Sequence, residues 1–305
     1  MDSEQPDLVE TTAPPPVAAG PVIPWGWVRA LLSLPVWILV QLVITIPIMA
    51  LVGGDQGAGG ALSIDTPGII FIQLGQLLST VLVVWVFRRW IDGGTFVSLG
   101  FMFTREYARD LVAGCLCGIA LISAIFLTVL TLGGLSVVAF HPPSLSLLIL
   151  TVAMMLVATN EELYIRGYLL NNLMASANKY LVLLISSVAF AAFHISNPNV
   201  SQIGLVNIIL AGLLLGIYYI HKRNLWFPIG LHFTWNLFQG GVYGSPISGV
   251  KVNSLIEADF TGNALLTGGE FGFEASLVTT VLLVAATLAV HLIYRPKESP
   301  AVVTT

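Results

Sequence analysis

Hydrophobic residues along this chain form long runs that contain no Asp, Glu, Lys or Arg, and short polar segments separate the runs. A helix needs about 20 residues to cross a hydrocarbon core of about 30 Å, and two of the runs are about twice that length. Gly133 and Gly134 divide the first of these, and residues 196–199 divide the second. The pattern predicts eight transmembrane helices, at about residues 29–52, 67–87, 110–132, 145–174, 179–196, 202–221, 225–242 and 275–294.

A transmembrane β-barrel does not fit these runs. Barrel strands have about 10 residues and alternate in polarity, whereas the runs here are long and continuously apolar. Hydrophobic residues make up 56% of the chain and charged residues 9%, against about 25% charged residues in soluble domains. We therefore predict an all-α, polytopic helical membrane protein.

The two ends of the chain differ from the apolar middle. Residues 1–28 carry four acidic residues, no Lys or Arg, and prolines at 14–16. A cleavable signal peptide needs a basic start followed by an apolar core, so we interpret this segment as a disordered acidic tail. Residues 29–294 are predicted to form one membrane domain with its motif-bearing core at 145–241, and residues 295–305 a short tail.

Lysine and arginine predict the orientation of the chain, because loops on the cytoplasmic side are enriched in them. With eight helices and a cytoplasmic N-terminus, eleven of the twelve basic residues lie on the inner side and only Lys251 lies outside. This bias predicts a multi-pass protein of the cell membrane with both termini in the cytoplasm. No basic stripe indicates a nucleic-acid partner.

Two further segments of the chain also lead to predictions. Gly212 and Gly216 are four residues apart in the sixth predicted helix, a spacing that permits close helix packing in lipid. We expect this packing inside the bundle, with a homo-oligomer contact as the alternative. Residues 243–274 form a long polar segment with four acidic residues. We interpret it as a solvated outer loop, with a lid or a partner surface as the alternative.

Three short motifs place polar side chains inside predicted membrane helices. They are Glu161, Glu162 and Arg166 in the fourth helix, Phe190 and His194 in the fifth, and His232 and Asn236 in the seventh. An ionisable side chain inside a bilayer costs at least about 2.5–3.5 kcal/mol on insertion scales. Residues retained at that cost are typical of a functional site.

The two adjacent glutamates have different expected roles. Positions four apart share a helix face, so Glu162 and Arg166 are predicted to form a buried ion pair. Glu161 has no basic residue three or four positions away. An unpaired carboxylate in a low-dielectric site becomes easier to protonate or gains a partner from another helix, and either outcome suits a general base or acid.

The histidines leave two uses open. His232 and Asn236 share one helix face and suit either a metal site or a pair of groups facing an oxyanion. Glu161 and His194 are about equally far from the turn at 176–178, so adjacent antiparallel helices place them level. His232 lies nearer to the cytoplasmic end of the seventh helix than Glu161 does to the cytoplasmic end of the fourth. A fourth helix that is tilted, or that projects beyond the bilayer, is needed to place the two residues at the same depth.

The order Glu-Glu-x-x-x-Arg, Phe-x-x-x-His, His-x-x-x-Asn resembles the CPBP family of intramembrane peptidases, which includes the type II CAAX prenyl endopeptidases. The resemblance implies that Glu161 is the general base that activates water and that His194 helps to hold this water. It implies that His232 and Asn236 bind water or stabilise the oxyanion.

Glu162 and Arg166 would organise the site. Members of the family have been described both as metal-independent glutamate peptidases and as metallopeptidases. The cofactor is therefore either none, which we favour, or a divalent metal such as Zn²⁺ bound by Glu161, His194 and His232.

The function predicted from this resemblance is an intramembrane endopeptidase. Its partners would be the lipid bilayer and a membrane-associated protein or peptide, processed as a CAAX-type or a leader-peptide-type substrate. Two other classes stay open. A non-enzymatic scaffold or bacteriocin-immunity protein would not need the motif side chains, and a proton-coupled transporter would use them as a relay.

Overall fold

The structure is a computed structural model that describes residues 20–53 and 66–296. Most of both predicted tails therefore lies outside the described residues. The first helix begins at residue 26, three residues before the predicted boundary. The α-helices are α1 (Gly26–Gly53), α2 (Pro67–Val86), α3 (Arg105–Thr131), α4 (Leu145–Glu162), α5 (Asn171–Leu173), α6 (Lys179–Ala192), α7 (Gln202–Lys222), α8 (Trp226–Asn236), α9 (Ala264–Thr267) and α10 (Leu277–Tyr294).

Wider π-helical turns extend three of these helices. They follow α2 at Phe87–Ile91, α4 at Leu163–Leu170 and α8 at Leu237–Val242. Single 3₁₀ turns occupy Val97–Leu99, Gly269–Phe271 and Phe273–Ala275. The all-α fold class is confirmed, and every predicted membrane segment is helical over most of its length.

Helix length identifies fewer candidate membrane crossings than the eight that the sequence predicts. In the described part of the chain, six helices are long and apolar enough to cross a membrane. Helix α6 has 14 residues, and α8 has 11 before its π-helical extension. The chain is thus a multi-pass membrane protein, and the predicted count of eight is not confirmed.

The contacting helix pairs run in both directions. Helices α1 and α2 are antiparallel, as are α6 and α7. Helices α3 and α8 are parallel, as are α7 and α10, and α4 contacts both α2 and α8. Where α2 ends, the buried Asp92 lies 3.5 Å from Arg29 and 3.2 Å from Arg88. The Tyr168 hydroxyl and the Asn172 amide also donate to it. This buried cluster joins α1, α2 and the extension of α4.

The segment 243–274 is not the solvated loop that the sequence predicts. Its strand β2 (Ile256–Asp259) pairs antiparallel with β1 (Ser136–Phe140), with a bulge between Val137 and Ala139. Phe271 and Phe273 of this segment are buried. The loop interpretation was wrong because those aromatic side chains bury more favourably against the helices than in water.

Close packing in one chain accounts for the two helical glycines. A methyl group added at Gly212 would lie 2.9 Å from the Cα atom of Ser187 on α6, and one at Gly216 would overlap Leu183 of the same helix. The packing expectation is confirmed. A homo-oligomer contact through Gly212 and Gly216 is not shown, and α6 of the same chain covers this surface.

We expect Gly212→Ala to lower the free energy of unfolding by about 1–3 kcal/mol, the usual effect of overpacking a core. The measurement is the thermal unfolding midpoint of the detergent-purified protein. Gly20→Ala is the control, since a methyl group there meets nothing within 4 Å. Equal midpoints for both variants would contradict the packing interpretation.

Candidate active site

Glu161 and Glu162 lie where the α-helix α4 changes into a wider π-helix. Helix α4 ends at Glu162, and the π-helical segment Leu163–Leu170 follows directly. π-helical turns are frequently found at functional sites. His232 Nε2 lies 3.8 Å from Glu161 Oε2, so the folded chain brings these two residues to the same depth.

Glu162 is the centre of a buried ionic network. Its Oε1 atom accepts a hydrogen bond from Arg166 Nη1 at 2.7 Å and one from His232 Nδ1 at 3.0 Å. The side chains of Glu162 and Arg166 are 0% and 1% exposed. The predicted ion pair is present, and it also includes a histidine from α8.

Arg166 extends the network to two further helices. Its Nη2 atom donates to the Gly212 carbonyl of α7 at 3.3 Å. Its guanidinium carbon lies 4.4 Å from the centre of the Phe190 ring on α6, a cation–π geometry. One guanidinium therefore contacts α7 and also α6, the helix that leads to the second motif.

Glu161 faces away from this network and into a cavity. Its Oε2 atom lies 3.8 Å from His232 Nε2, which is longer than a hydrogen bond. That oxygen is buried and accepts no hydrogen bond from the described residues. Glu161 therefore gains a neighbour from another helix, as expected, but keeps an oxygen available to a small molecule such as water.

Hydrogen bonds fix which nitrogen of each histidine faces the cavity. His194 Nδ1 lies 2.8 Å from the Phe190 carbonyl oxygen, which can only accept, so Nδ1 carries the proton. His232 Nδ1 likewise donates to the Glu162 carboxylate. Because the backbone and a buried acid hold both Nδ1 atoms, both Nε2 atoms are left for chemistry.

The four predicted catalytic side chains line one cavity of about 250 Å³. Glu161, His194, His232 and Asn236 form part of its wall. A second cavity of about 380 Å³ lies between α1, α2, α4 and α6, and Glu161 and His194 also line it. These two residues therefore lie where the cavities meet, and the tertiary structure brings together the residues that the motifs had singled out.

Three further residues in the wall of the first cavity were missed by the sequence analysis: Asn160, Asn207 and Glu274. Asn160 accepts a hydrogen bond from Thr80. Asn207 was detectable as a polar residue in an apolar helix. Glu274 carried no signal that distinguished it from other acidic loop residues.

A metal site is not supported by the donor set. Among residues 20–53 and 66–296, no group of three or more His, Cys, Asp or Glu side chains is arranged to hold a metal ion. Glu161, His194 and His232 are therefore not grouped as metal ligands among these residues, and the Zn²⁺ assignment is not supported.

Removing one member of the buried ion pair is expected to destabilise the protein strongly. Glu162→Leu leaves the Arg166 guanidinium buried without its carboxylate, an effect of about 3–5 kcal/mol. Glu162→Leu combined with Arg166→Met should recover most of this loss, since apolar replacement of a whole buried pair is often neutral. Thermal unfolding of the purified variants measures both effects, and a double variant no more stable than Glu162→Leu would contradict the pairing.

Comparison with known families supports the resemblance that the motifs indicate. Residues 143–238 match the family model described as "Rce1-like: Type II CAAX prenyl endopeptidase Rce1-like". A comparison with curated proteins found no match. The matched range contains all three motifs and corresponds to the predicted core at 145–241. Residues 143–238 are therefore similar to the Rce1-like family, which is described as type II CAAX prenyl endopeptidases.

Proposed function

We propose that this protein is an intramembrane endopeptidase in which Glu161 activates water to hydrolyse a peptide bond of a membrane-associated substrate. The observation that carries the proposal is the arrangement of Glu161, His194, His232 and Asn236 around one cavity inside the matched segment. A carboxylate and two imidazole nitrogens that face one space can move protons and hold water there.

Each residue has a defined part in this mechanism. Glu161 removes a proton from a water molecule, and His194 Nε2 accepts a hydrogen bond that holds this water. The oxygen attacks the scissile carbonyl carbon, and the Asn236 amide donates to the resulting oxyanion. His232, as an imidazolium, donates its Nε2–H to the oxyanion. Glu161 then returns its proton to the leaving amine, so that Glu161 ends each turnover ionised.

The second cavity provides a route from the bilayer. Its wall includes the apolar Ile38, Leu42 and Phe193, whose side chains are also exposed at the outer surface of the bundle. A lipid-anchored or transmembrane segment of a substrate could enter between these helices without leaving the hydrocarbon. The position of the entrance favours a membrane-anchored substrate over a freely soluble peptide.

The orientation follows the positive-inside bias, and we propose that both termini are cytoplasmic. The turns with Arg88, Arg105, Lys179 and Arg223 then lie inside, and the β1–β2 sheet lies outside. Protease accessibility of a tag inserted at residue 260, in sealed vesicles of known orientation, distinguishes the two placements.

Glu161→Gln should reduce cleavage by about 10²–10⁴-fold, the usual contribution of a general base, because the amide cannot accept the proton. The measurement compares new protein termini in membranes that contain wild type or variant at matched expression. Glu106→Gln is the control, since that carboxylate is 72% exposed. Identical termini for wild type and Glu161→Gln, with the cellular phenotype intact, would support the scaffold or immunity alternative instead.

Asn236→Ala should lower kcat by about 10²–10³-fold, as expected for loss of one oxyanion donor, with little change in KM. Steady-state cleavage of a reporter substrate in lipid nanodiscs measures both constants. An effect confined to KM would instead show that Asn236 binds the substrate in its ground state.

A further inference from the structure

Glu274 is an acidic side chain of the cavity that the proposed mechanism does not use. It lies in the 3₁₀ turn before α10, and it lines the same cavity as Glu161 and His194. The other walls near it come from α7 and α10, through Asn207 and Thr279. A carboxylate from outside the matched segment therefore forms part of the candidate active site.

A specific loop conformation holds this carboxylate in place. Glu274 Oε2 accepts hydrogen bonds from both the backbone N–H and the hydroxyl of Ser248, each at 2.7 Å. Ser248 has a φ of 44°, in the left-handed region that costs a non-glycine residue energy, and such residues cluster at functional sites. Asn207 Nδ2 donates to the Glu274 carbonyl at 2.7 Å. The side chain is thus fixed from the loop and from α7.

Among residues 20–53 and 66–296, Glu274 has no Lys or Arg partner, and the nearby groups that can carry positive charge are His194 and His232. Neither cavity has a Lys or Arg in its wall, as far as residues 20–53 and 66–296 show. No ion pair of Glu274 occurs among these residues either. By contrast, Glu270 in the same loop is exposed and pairs with Lys251 at 3.1 Å. Glu274 is half-buried, and charges removed from water are normally paired, so a ligand can supply the cation that no Lys or Arg of these residues provides.

Electrostatics favour the same conclusion. Burial raises the pKa of the Glu274 carboxyl, and the Ser248 hydrogen bonds and the nearby histidines offset this only in part. A cation bound beside the carboxylate would lower that pKa and stabilise the ionised form. A free chain-terminal carboxylate at the same place would be repelled.

We propose that Glu274 is a specificity-determining residue that binds a positively charged group of the substrate, a Lys or Arg side chain or an α-amino group. Cleavage of such a substrate rests on the proposed peptidase function, whereas the preference of Glu274 for binding a cation does not. The expected substrate carries this cation within the stretch of chain that occupies the cavity, close to the scissile bond. A peptide with only neutral or acidic residues there should bind more weakly.

The first experiment measures binding without cleavage. Glu161→Gln protein in nanodiscs is titrated with fluorescein-labelled, lipid-anchored peptides that share one sequence and carry a single Lys or Gln at successive positions. At one position, Lys should tighten binding by about tenfold or more, the size of a charge-assisted hydrogen bond. Adding Glu274→Gln should remove this preference, whereas adding Glu270→Gln should retain it.

The second experiment repeats the peptide series as cleavage by wild type, Glu274→Gln and Glu270→Gln. A loss of the Lys preference in kcat/KM only with Glu274→Gln, while the Gln peptide is still cleaved, supports the proposal. An equal fall in kcat for Lys and Gln peptides would assign Glu274 to the chemical step and overturn it. No Lys preference at any position in the binding series would also overturn it.

The experiments can contradict the peptidase function and the cation site at Glu274 independently of each other. Absent cleavage with a Glu274-dependent Lys preference in binding would count against the peptidase and leave the cation site standing. Cleavage that depends on Glu161 but shows no preference for Lys would do the reverse.

Discussion

The buried carboxylate of Glu162 is the interaction on which the rest of the structure depends. It accepts hydrogen bonds from Arg166 and His232, and Arg166 in turn contacts Gly212 and Phe190. In an apolar surrounding, a charge of this kind is stable only when it is paired and hydrogen-bonded. The helices α4, α6, α7 and α8 must therefore assemble in one arrangement, because any other would leave an ion unpaired in hydrocarbon.

This constraint also separates the roles of two adjacent glutamates. Glu162 is committed to the network, and its conformation fixes His232 through Nδ1. Glu161, rotated by about 100° on the helix, is left with a free oxygen beside the Nε2 atom of the same histidine. In the proposed mechanism, Glu162 thus fixes the position of His232, while Glu161 keeps an oxygen available to water. A catalytic site needs supporting residues that hold the reacting groups in place.

The loop before α10 completes the cavity from outside the helical core. It packs Phe271 and Phe273 into the bundle, and this anchorage positions Glu274 in the cavity wall. The cavity therefore has a carboxylate from α4 and another from the loop, with imidazoles and carboxamides between them. A wall of this composition suits a peptide backbone, which offers both donors and acceptors, and favours a substrate with positive charge.

Much of this protein could be predicted from its sequence. Uninterrupted apolar runs determined the all-α membrane class, because a bilayer admits few other structures for such runs. The four-residue spacing determined the pairing of Glu162 with Arg166, since that contact is local to one helix.

Tertiary structure alone decided the rest. The hydrogen bond between His232 and Glu162 joins residues 70 positions apart, and the π-helical segment that follows Glu162 has no distinct sequence signal. The role of residues 243–274 was missed because the burial of Phe271 and Phe273 depends on a surface that the folded helices create. The same reason applies to Glu274: a carboxylate in a polar segment becomes a cavity residue only when distant parts of the chain remove it from water.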